Sequence, residues 1–282
     1  MEKINVFISF DIEGVGVVSS WRELRDSTDL TRIRRIATEE VNAVIRGIRN
    51  SRVPIGKITI CDSHGLGENL LIEQLEPGIH LTKGSPRMYY MIEGIEQGYD
   101  LLFLIGYHAM AGTTGSGMDH TYSSRVIYNV KINGRNVGEA EINTGVAGHY
   151  GVALAMVSGD DLLIKAVKKF FGTQVETVIT KYGVSRFAAR CRHPLDVQKE
   201  LEMKSKRAVE QYKRRRPFRI KTPIYAEVEV LNSLIGDLVE LIPDIKRISA
   251  RRFKFKSPDI LRFYRILRLI CVLGGYADRL LT

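Results

Sequence analysis

The sequence predicts an α/β fold, with a largely parallel open sheet flanked by helices and a smaller C-terminal α/β lobe. Three observations carry that expectation. Apolar runs of strand length, KINVFISF at 3–10, KITI at 57–60 and LLFLI at 101–105, alternate with segments of helical apolar spacing. Each run stops at a short segment that contains metal-ligating residue types: Asp11 and Glu13, then His64, then His108. Beyond residue 222 the chain repeats a strand, helix, strand, helix order of its own.

Taken in order, strand 3–10 is followed by a helix near 29–50, where Ile33, Ile36, Val41, Val44 and Ile45 fall among charged residues. Strand 57–61 precedes a shorter helix near 68–75. Another helical piece near 86–97 leads into strand 101–106. Residues 109–120 are rich in Gly, Ala and Thr and read as a loop that carries His120. Tyr122–Ile132 reads as a strand. Asn133-Gly134 is a hairpin turn, because both positions tolerate positive φ, and the return strand leads to Glu139. A helix near 140–150 precedes strand 152–158. Asp160 or Asp161 caps the helix carrying Leu162, Leu163, Ala166 and Val167. A strand at about 174–180 and a long helix at about 194–214 follow.

In the tail, Ile224–Val230 alternates as a strand and Asn232 or Ser233 caps a short helix through Leu241. A strand at 247–255 and a last helix near 258–281 complete it. These patterns divide the chain into a catalytic domain at 1–216 and a lobe at 222–282. Packing of the lobe onto the main sheet as one domain is the alternative.

At 282 residues, 44% hydrophobic and 26% charged, the chain can bury a substantial core. Residues 1–20 read as strand then loop, without a signal-peptide pattern, and no uncharged run reaches membrane-span length. Cys61, Cys191 and Cys271 are scattered and lack a CxxC pair, which favours a reducing, cytoplasmic setting. Cys61 is read as a buried strand cysteine rather than a ligand. Residues 1–200 hold 23 basic and 23 acidic residues, whereas 201–282 hold 19 and 9. The tail therefore carries the whole formal charge of +10. Its densest run, Lys213 to Arg216, is expected to be exposed. Nucleic acid is not the expected partner, since no recognised nucleic-acid motif accompanies the run.

The strand-end residues are the functional signal. In an open α/β sheet, ligands bind outside the carboxyl ends of the strands. Residues i and i+2 of an extended chain point to one side, so Asp11 and Glu13 can face one cluster while Ile12 points away. Gly14 and Gly16 then allow a tight turn. With Glu139 arriving from a fourth element, the set supplies enough oxygen and nitrogen ligands for two zinc ions or another divalent metal.

On these residues the chain resembles the D-aminopeptidases of the dipeptide-operon (DppA) type, metallopeptidases with a dinuclear zinc site. The matching segments are Ser9-Phe10-Asp11-Ile12-Glu13-Gly14, Asp62-Ser63-His64, Gly106-Tyr107-His108-Ala109, Met118-Asp119-His120, Val137-Gly138-Glu139 and Ser158-Gly159-Asp160-Asp161. Val184-Ser185-Arg186 and the final helix after Phe255 to Asp259 match in kind and order. The resemblance implies that Asp11 bridges both zinc ions, that Glu13 and Glu139 complete one site, and that His64 and His108 complete the other. It implies a catalytic role for His120, read here as moving a proton or stabilising the developing oxyanion. It also implies short peptides with an N-terminal D-residue as substrates, and a homo-oligomer, a decamer enclosing an inner chamber.

The expected function is metal-dependent removal of an N-terminal residue from short peptides. The alternatives are another dinuclear-metal amidase or phosphoesterase, or a metal-containing peptide- or nucleic-acid-binding protein without turnover.

Overall fold

The computed structural model describes residues 3–280. In chain order its elements are β1 (Ile4–Phe10), α1 (Ser27–Arg49), β2 (Ile55–Asp62), β3 (His80–Thr82), β4 (Leu101–Tyr107), β5 (Ile127–Ile132), β6 (Arg135–Asn136), α2 (Glu139–His149), β7 (Ala153–Asp160), α3 (Asp161–Phe171), β8 (Glu176–Ser185), β9 (Ala188–Cys191), α4 (Pro194–Glu210), β10 (Ile224–Val230), α5 (Ser233–Val239), β11 (Lys246–Arg247), β12 (Arg252–Ser257) and α6 (Ile260–Arg279). They fall into two compact units. The first holds the chain up to Ala109, Thr114–Met118 and Ala147–Phe218; the second holds Met110–Thr113, Asp119–Val146 and the chain from Arg219.

Among the described residues the first unit contains a seven-stranded sheet in the order β3-β2-β1-β4-β7-β8-β9. Every pairing is parallel except β8 with the edge strand β9. From β1 the chain builds outward through β2 to β3, then returns to the other side of β1 and builds through β4, β7 and β8. The reversal between β1 and β4 is the topological switch point at which open sheets of this kind bind ligands. β4 and β7 are buried along their whole lengths. Their near-continuous apolar sequence follows, because a parallel sheet is covered on both faces. Asp26 caps α1 by accepting hydrogen bonds from the Thr28 and Asp29 amides. The stripe Ile33, Ala37, Val41, Val44 and Ile48 of α1 joins the core formed with Val6, Ile8, Phe10, Phe103 and Val197.

The second unit contains an antiparallel sheet in the order β11-β12-β10-β5-β6. α5 and α6 pack together, and both contact β10. Residues 127–136 supply two of its strands, so the sheet of the tail is completed by a segment some ninety residues earlier in the chain. β10 alternates buried and partly or fully exposed residues along its length, but a local pattern of that kind does not report which distant strand pairs with it.

Several expected elements differ in detail. No α-helix forms near 68–75 or 86–97; these stretches hold only 3₁₀ turns at Ile72–Gln74, Tyr90–Ile92 and Ile95–Gln97. Gly94 and Gly98 adopt φ of 94° and 84°, which interrupts any helix there. The strand expected from Tyr122 starts only at Ile127: Tyr122 lies at φ 57°, and the Val126 and Ile127 amides turn back onto the Ser123 carbonyl. The last helix is capped by Asp259 and begins after it, at Ile260. Asp160 and Asn232 do cap α3 and α5.

The basic run also departs from expectation at one position. Lys213, Arg214 and Arg216 are exposed, but Arg215 is buried. Its guanidinium donates to the carbonyls of Ala208 and Gln174 at 3.0 and 2.7 Å, and burial lowers its pKa from the usual value. Replacing Arg214 and Arg216 together with alanine is expected to leave stability nearly unchanged. Arg215→Met is expected to destabilise the fold by on the order of 2 kcal/mol, through lost charge-assisted hydrogen bonds and stranded carbonyls. Chemical denaturation of the two variants beside the wild type measures the contrast.

Candidate metal centre

The register of three parallel strands brings the first unit's candidate ligands together. Phe10, the last residue of β1, pairs with Asp62 on β2 and with Ile105 on β4. The ladder continues one step further, with the Asp11 amide donating to Ile105 and the Ser63 amide donating to Phe10. Asp11 therefore leaves the central strand at the level where β2 and β4 deliver His64 and His108 from opposite sides. His64 Nδ1 lies 3.6 Å from Asp11 Oδ1, and His108 Nε2 lies 3.4 Å from Asp11 Oδ2. Glu13, two residues on, turns to the same side and places Oε2 2.7 Å from His64 Nδ1.

One ligand atom from each of Asp11, Glu13 and His108 lies within 4.8 Å of the others, and all three residues are buried. The donors are carboxylate oxygens and imidazole nitrogens, a set that suits zinc and similar borderline cations. His108 Nδ1 faces the Ala109 carbonyl at 2.9 Å. That contact selects the tautomer with a proton on Nδ1 and leaves the Nε2 lone pair for a cation. Burial by itself would depress the His64 pKa, but the adjacent Glu13 and Asp11 carboxylates outweigh it and hold the imidazole well above its ordinary value. Two buried carboxylates thus create a demand for positive charge, which a metal held by these residues would meet in place of the proton.

The turn that carries the carboxylates is held by backbone contacts. The Gly14 amide donates to the Gly106 carbonyl at 2.7 Å. A Cβ on Gly14 would lie 2.0 Å from the Tyr107 carbonyl oxygen, and one on Gly106, at φ 73°, would lie 2.1 Å from that of Asp11. The two strand ends can approach this closely only with glycine at both positions. Behind the turn, the buried Lys181 ammonium donates to the carbonyls of Glu13, Val15 and Val18. Thr180 Oγ1 donates to the Gly14 carbonyl at 2.6 Å, and Glu40 Oε1 accepts from the Gly16 amide at 3.0 Å.

The loop bearing His64 has its own anchor. Asp62 accepts from the amides of Asn69 and Leu70 and from Asn69 Nδ2, and Asn69 Nδ2 also donates to the His64 carbonyl. On the outer side of Glu13, Trp21 Nε1 donates to Oε1 at 3.0 Å.

His120 and Glu139 lie together in the second unit. Glu139 is the first residue of α2, is buried, and accepts a hydrogen bond from the Tyr122 amide. His120 Nε2 lies 3.8 Å from Glu139 Oε1. Asp119 fixes the preceding loop by accepting from the Gly112 amide at 2.7 Å, and Tyr122 donates through its hydroxyl to Asn143 at 2.7 Å.

Sequence reasoning missed the roles of Trp21, Glu40, Asp62 and Lys181. Two of these left a trace. Glu40 falls on the buried stripe of α1, three residues after Ala37 and four before Val44. Lys181 follows an apolar alternation in a strand. In each case a charge occupies an apolar slot, which signals a dedicated partner.

Burial raises the Glu40 pKa from 4.5 to about 7, against the opposing pull of the Gly16 amide and Lys181. A carboxyl raised on folding contributes stability that is complete below its unfolded pKa and lost as pH climbs through the folded value. The wild type is therefore expected to lose stability between pH 4.5 and about 7. Glu40→Gln, which keeps an oxygen for the Gly16 amide, is expected to show a flatter profile. Denaturation curves at several pH values across that window make the comparison.

Comparison with known proteins places this geometry. The sequence profile of the D-aminopeptidase family matches residues 4–269. The chain is similar to the D-aminopeptidase of Bacillus subtilis (strain 168), at 28% identity over 276 residues covering 96% of this chain and 98% of the relative. Its fold is similar to that of the solved Zn-dependent D-aminopeptidase DppA from Bacillus subtilis, described as a self-compartmentalizing protease. The TM-score is 0.89 at 28% identity, over 96% of this chain and 98% of that one. The protein belongs to the D-aminopeptidase family and is by that membership a peptide-bond hydrolase of the metallo-aminopeptidase kind.

Proposed function

We propose that this protein removes the N-terminal residue from short peptides, with a D-amino acid at that position, using two zinc ions held by its own side chains. The observation that carries the reading is the placement of Asp11. Its two carboxylate oxygens face two imidazoles delivered by strands on opposite sides of β1, as expected of one carboxylate shared between two cations. The choice of zinc follows the related DppA, which is Zn-dependent. The D-preference follows the family.

The proposed ligands are Asp11, Glu13, His64, His108 and Glu139, with Asp11 common to both ions. The contacts favour one change to the division implied by the family resemblance. His64 lies beside Glu13 Oε2 and on the Oδ1 side of Asp11, whereas His108 lies on the Oδ2 side. We therefore assign Glu13 and His64 to one ion and His108 to the other. Glu139 and His120 enter this set on the family pattern of the motifs. When bound, zinc supplies carbonyl polarisation and lowers the pKa of water toward about 7. His120, positioned beside Glu139, is assigned the proton delivered to the leaving amine. Hydrolysis then adds water across the amide, leaving a carboxylate on the N-terminal residue and an amine on the remainder.

We further propose a cytoplasmic homo-oligomer, a decamer by the family resemblance. Its three cysteines are free, and no helix among the described residues is long and apolar enough to cross a membrane. Leu269, Val272 and Tyr276 are exposed at helical spacing on α6, while Phe263, Leu267 and Ile270 on the same helix are buried. A second copy of the chain is the occupant we assign to that outer stripe, since the related DppA is self-compartmentalizing.

Release of amino acid from paired D- and L-peptides, with and without added zinc, tests the activity. Cleavage of the L-peptide alone would sink the D-preference. Asp11→Ala is expected to lose both metals by elemental analysis, and His64→Ala and His108→Ala one each; two metals retained in Asp11→Ala would remove the bridging role. His120→Ala is expected to keep its metal and lose about 10²–10⁴-fold in turnover. Tyr276→Asp is expected to lower the mass seen by light scattering, whereas Leu267→Asp, at a buried site, is expected to lower thermal stability.

A further inference from the structure

The first unit carries a hollow that the ligand set does not use. It has a volume of about 400 Å³ and is lined by Ser20, Trp21, Arg22, Arg25 and Phe187. That volume falls within the range of small-molecule sites, about 300–1,000 Å³. Trp21 connects it to the candidate metal centre, since the indole Nε1 is bonded to Glu13 while the ring forms one wall. Phe187 meets Trp21 edge to face, with centroids 5.5 Å apart, and is 52% exposed. Together the two rings give the hollow an apolar wall.

The charge around the hollow limits what that partner can be. The Arg186 guanidinium lies 5.7 Å from the Trp21 ring centre and 5.8 Å from that of Phe187. Arg22 and Arg25 line the hollow, are exposed, and form no ion pair with a carboxylate among the described residues. The guanidinium groups of Arg22 and Arg25 repel the ammonium end of a peptide and attract its carboxylate end, while Glu23, the nearby carboxylate, accepts from the Ser19 and Ser20 hydroxyls. The occupant therefore has an apolar body and an anionic head.

We propose that this hollow binds the leaving-side residue of the substrate, with its apolar side chain against Trp21 and Phe187 and its free carboxylate at Arg22 and Arg25. The proposal rests on the peptidase reading and names the substrate class: dipeptides and similarly short peptides ending in a free, apolar residue. A folded protein offers no free carboxylate one residue beyond the bond to be cut. Selection by length then follows from charge at each single site.

Trp21 is the chain's single tryptophan, so its fluorescence reports the hollow without any turnover. Titration with N-acetyl-L-leucine is expected to change that emission, and N-acetyl-L-leucinamide is expected to act at least about tenfold more weakly. Phe187→Ala should abolish the difference between leucine and glycine derivatives. Arg22→Ala with Arg25→Ala should abolish the difference between acid and amide. In turnover, Phe187→Ala is expected to raise KM about tenfold for a peptide ending in leucine and much less for one ending in glycine.

No emission change, or equal responses to acid and amide, overturns the proposal even if peptides are cleaved. A fall in oligomer mass for Phe187→Ala with unaltered ligand binding also overturns it and assigns the hollow to a subunit contact. Absence of peptide cleavage together with selective binding of the acid would instead overturn the peptidase reading and leave an anion-selective apolar site.

Discussion

Keeping two carboxylates buried at the end of one central parallel strand is the constraint around which the first unit is arranged. Asp11 and Glu13 are both removed from water, and an unpaired buried charge is costly. Their surroundings offset that cost piece by piece. His64 and His108 face Asp11 from two neighbouring strands, the Ile12 amide and the Trp21 indole donate to the carboxylates, and a raised His64 pKa brings positive charge to them. The donor set suits a divalent cation, and a cation held there would link stability to metal affinity through the same few atoms.

Precision at such a site depends on what lies behind the ligands. Here much of that support is backbone. Gly14 and Gly106 let two strand ends touch main chain to main chain, and Lys181 gathers three carbonyls of the turn into one buried point. A lysine used this way carries its charge into the core without a direct carboxylate contact. Burial lowers its pKa, against the pull of the nearby Asp160, Glu40 and Glu13 carboxylates. Asp62 organises the His64 loop by the converse device, a carboxylate satisfied by backbone and side-chain amides. These two loops are thus each fixed by a charged group of opposite sign to the backbone atoms it binds.

The division of labour between the aromatic and basic residues near Glu13 shows how specificity can be added to such a core. Trp21 presents its polar edge to a carboxylate and its apolar ring to the hollow. Arg22 and Arg25 line the same hollow, and under the proposal above they would give an entering ligand a preferred direction. In the proposed reading, the register of the sheet would set metal ligation, while loop residues, which vary without disturbing that register, would set substrate choice.

Much of this was legible before folding. The apolar runs ending at Asp11, His64 and His108 identified three parallel strands, and the i, i+2 spacing put Asp11 and Glu13 on one side, as the structure has them. Capping by Asp160 and Asn232 was also readable, because a cap acts on amides two or three residues away. The 3₁₀ turns that replace helices before β4, and the buried Arg215, were not legible. Glycine conformation and neighbouring carbonyls decided those, and neither appears in local hydrophobic spacing. By itself, the sequence determined which residue types end which strands, since that depends on local pattern. Tertiary structure alone decided that β1 lies between β2 and β4, that β5 and β6 complete the sheet of the tail, and that Lys181, Glu40 and Trp21 serve the turn after β1. These are pairings across tens to more than a hundred residues of chain, selected by which arrangement buries apolar surface while giving Lys181, Glu40 and Trp21 hydrogen-bond partners.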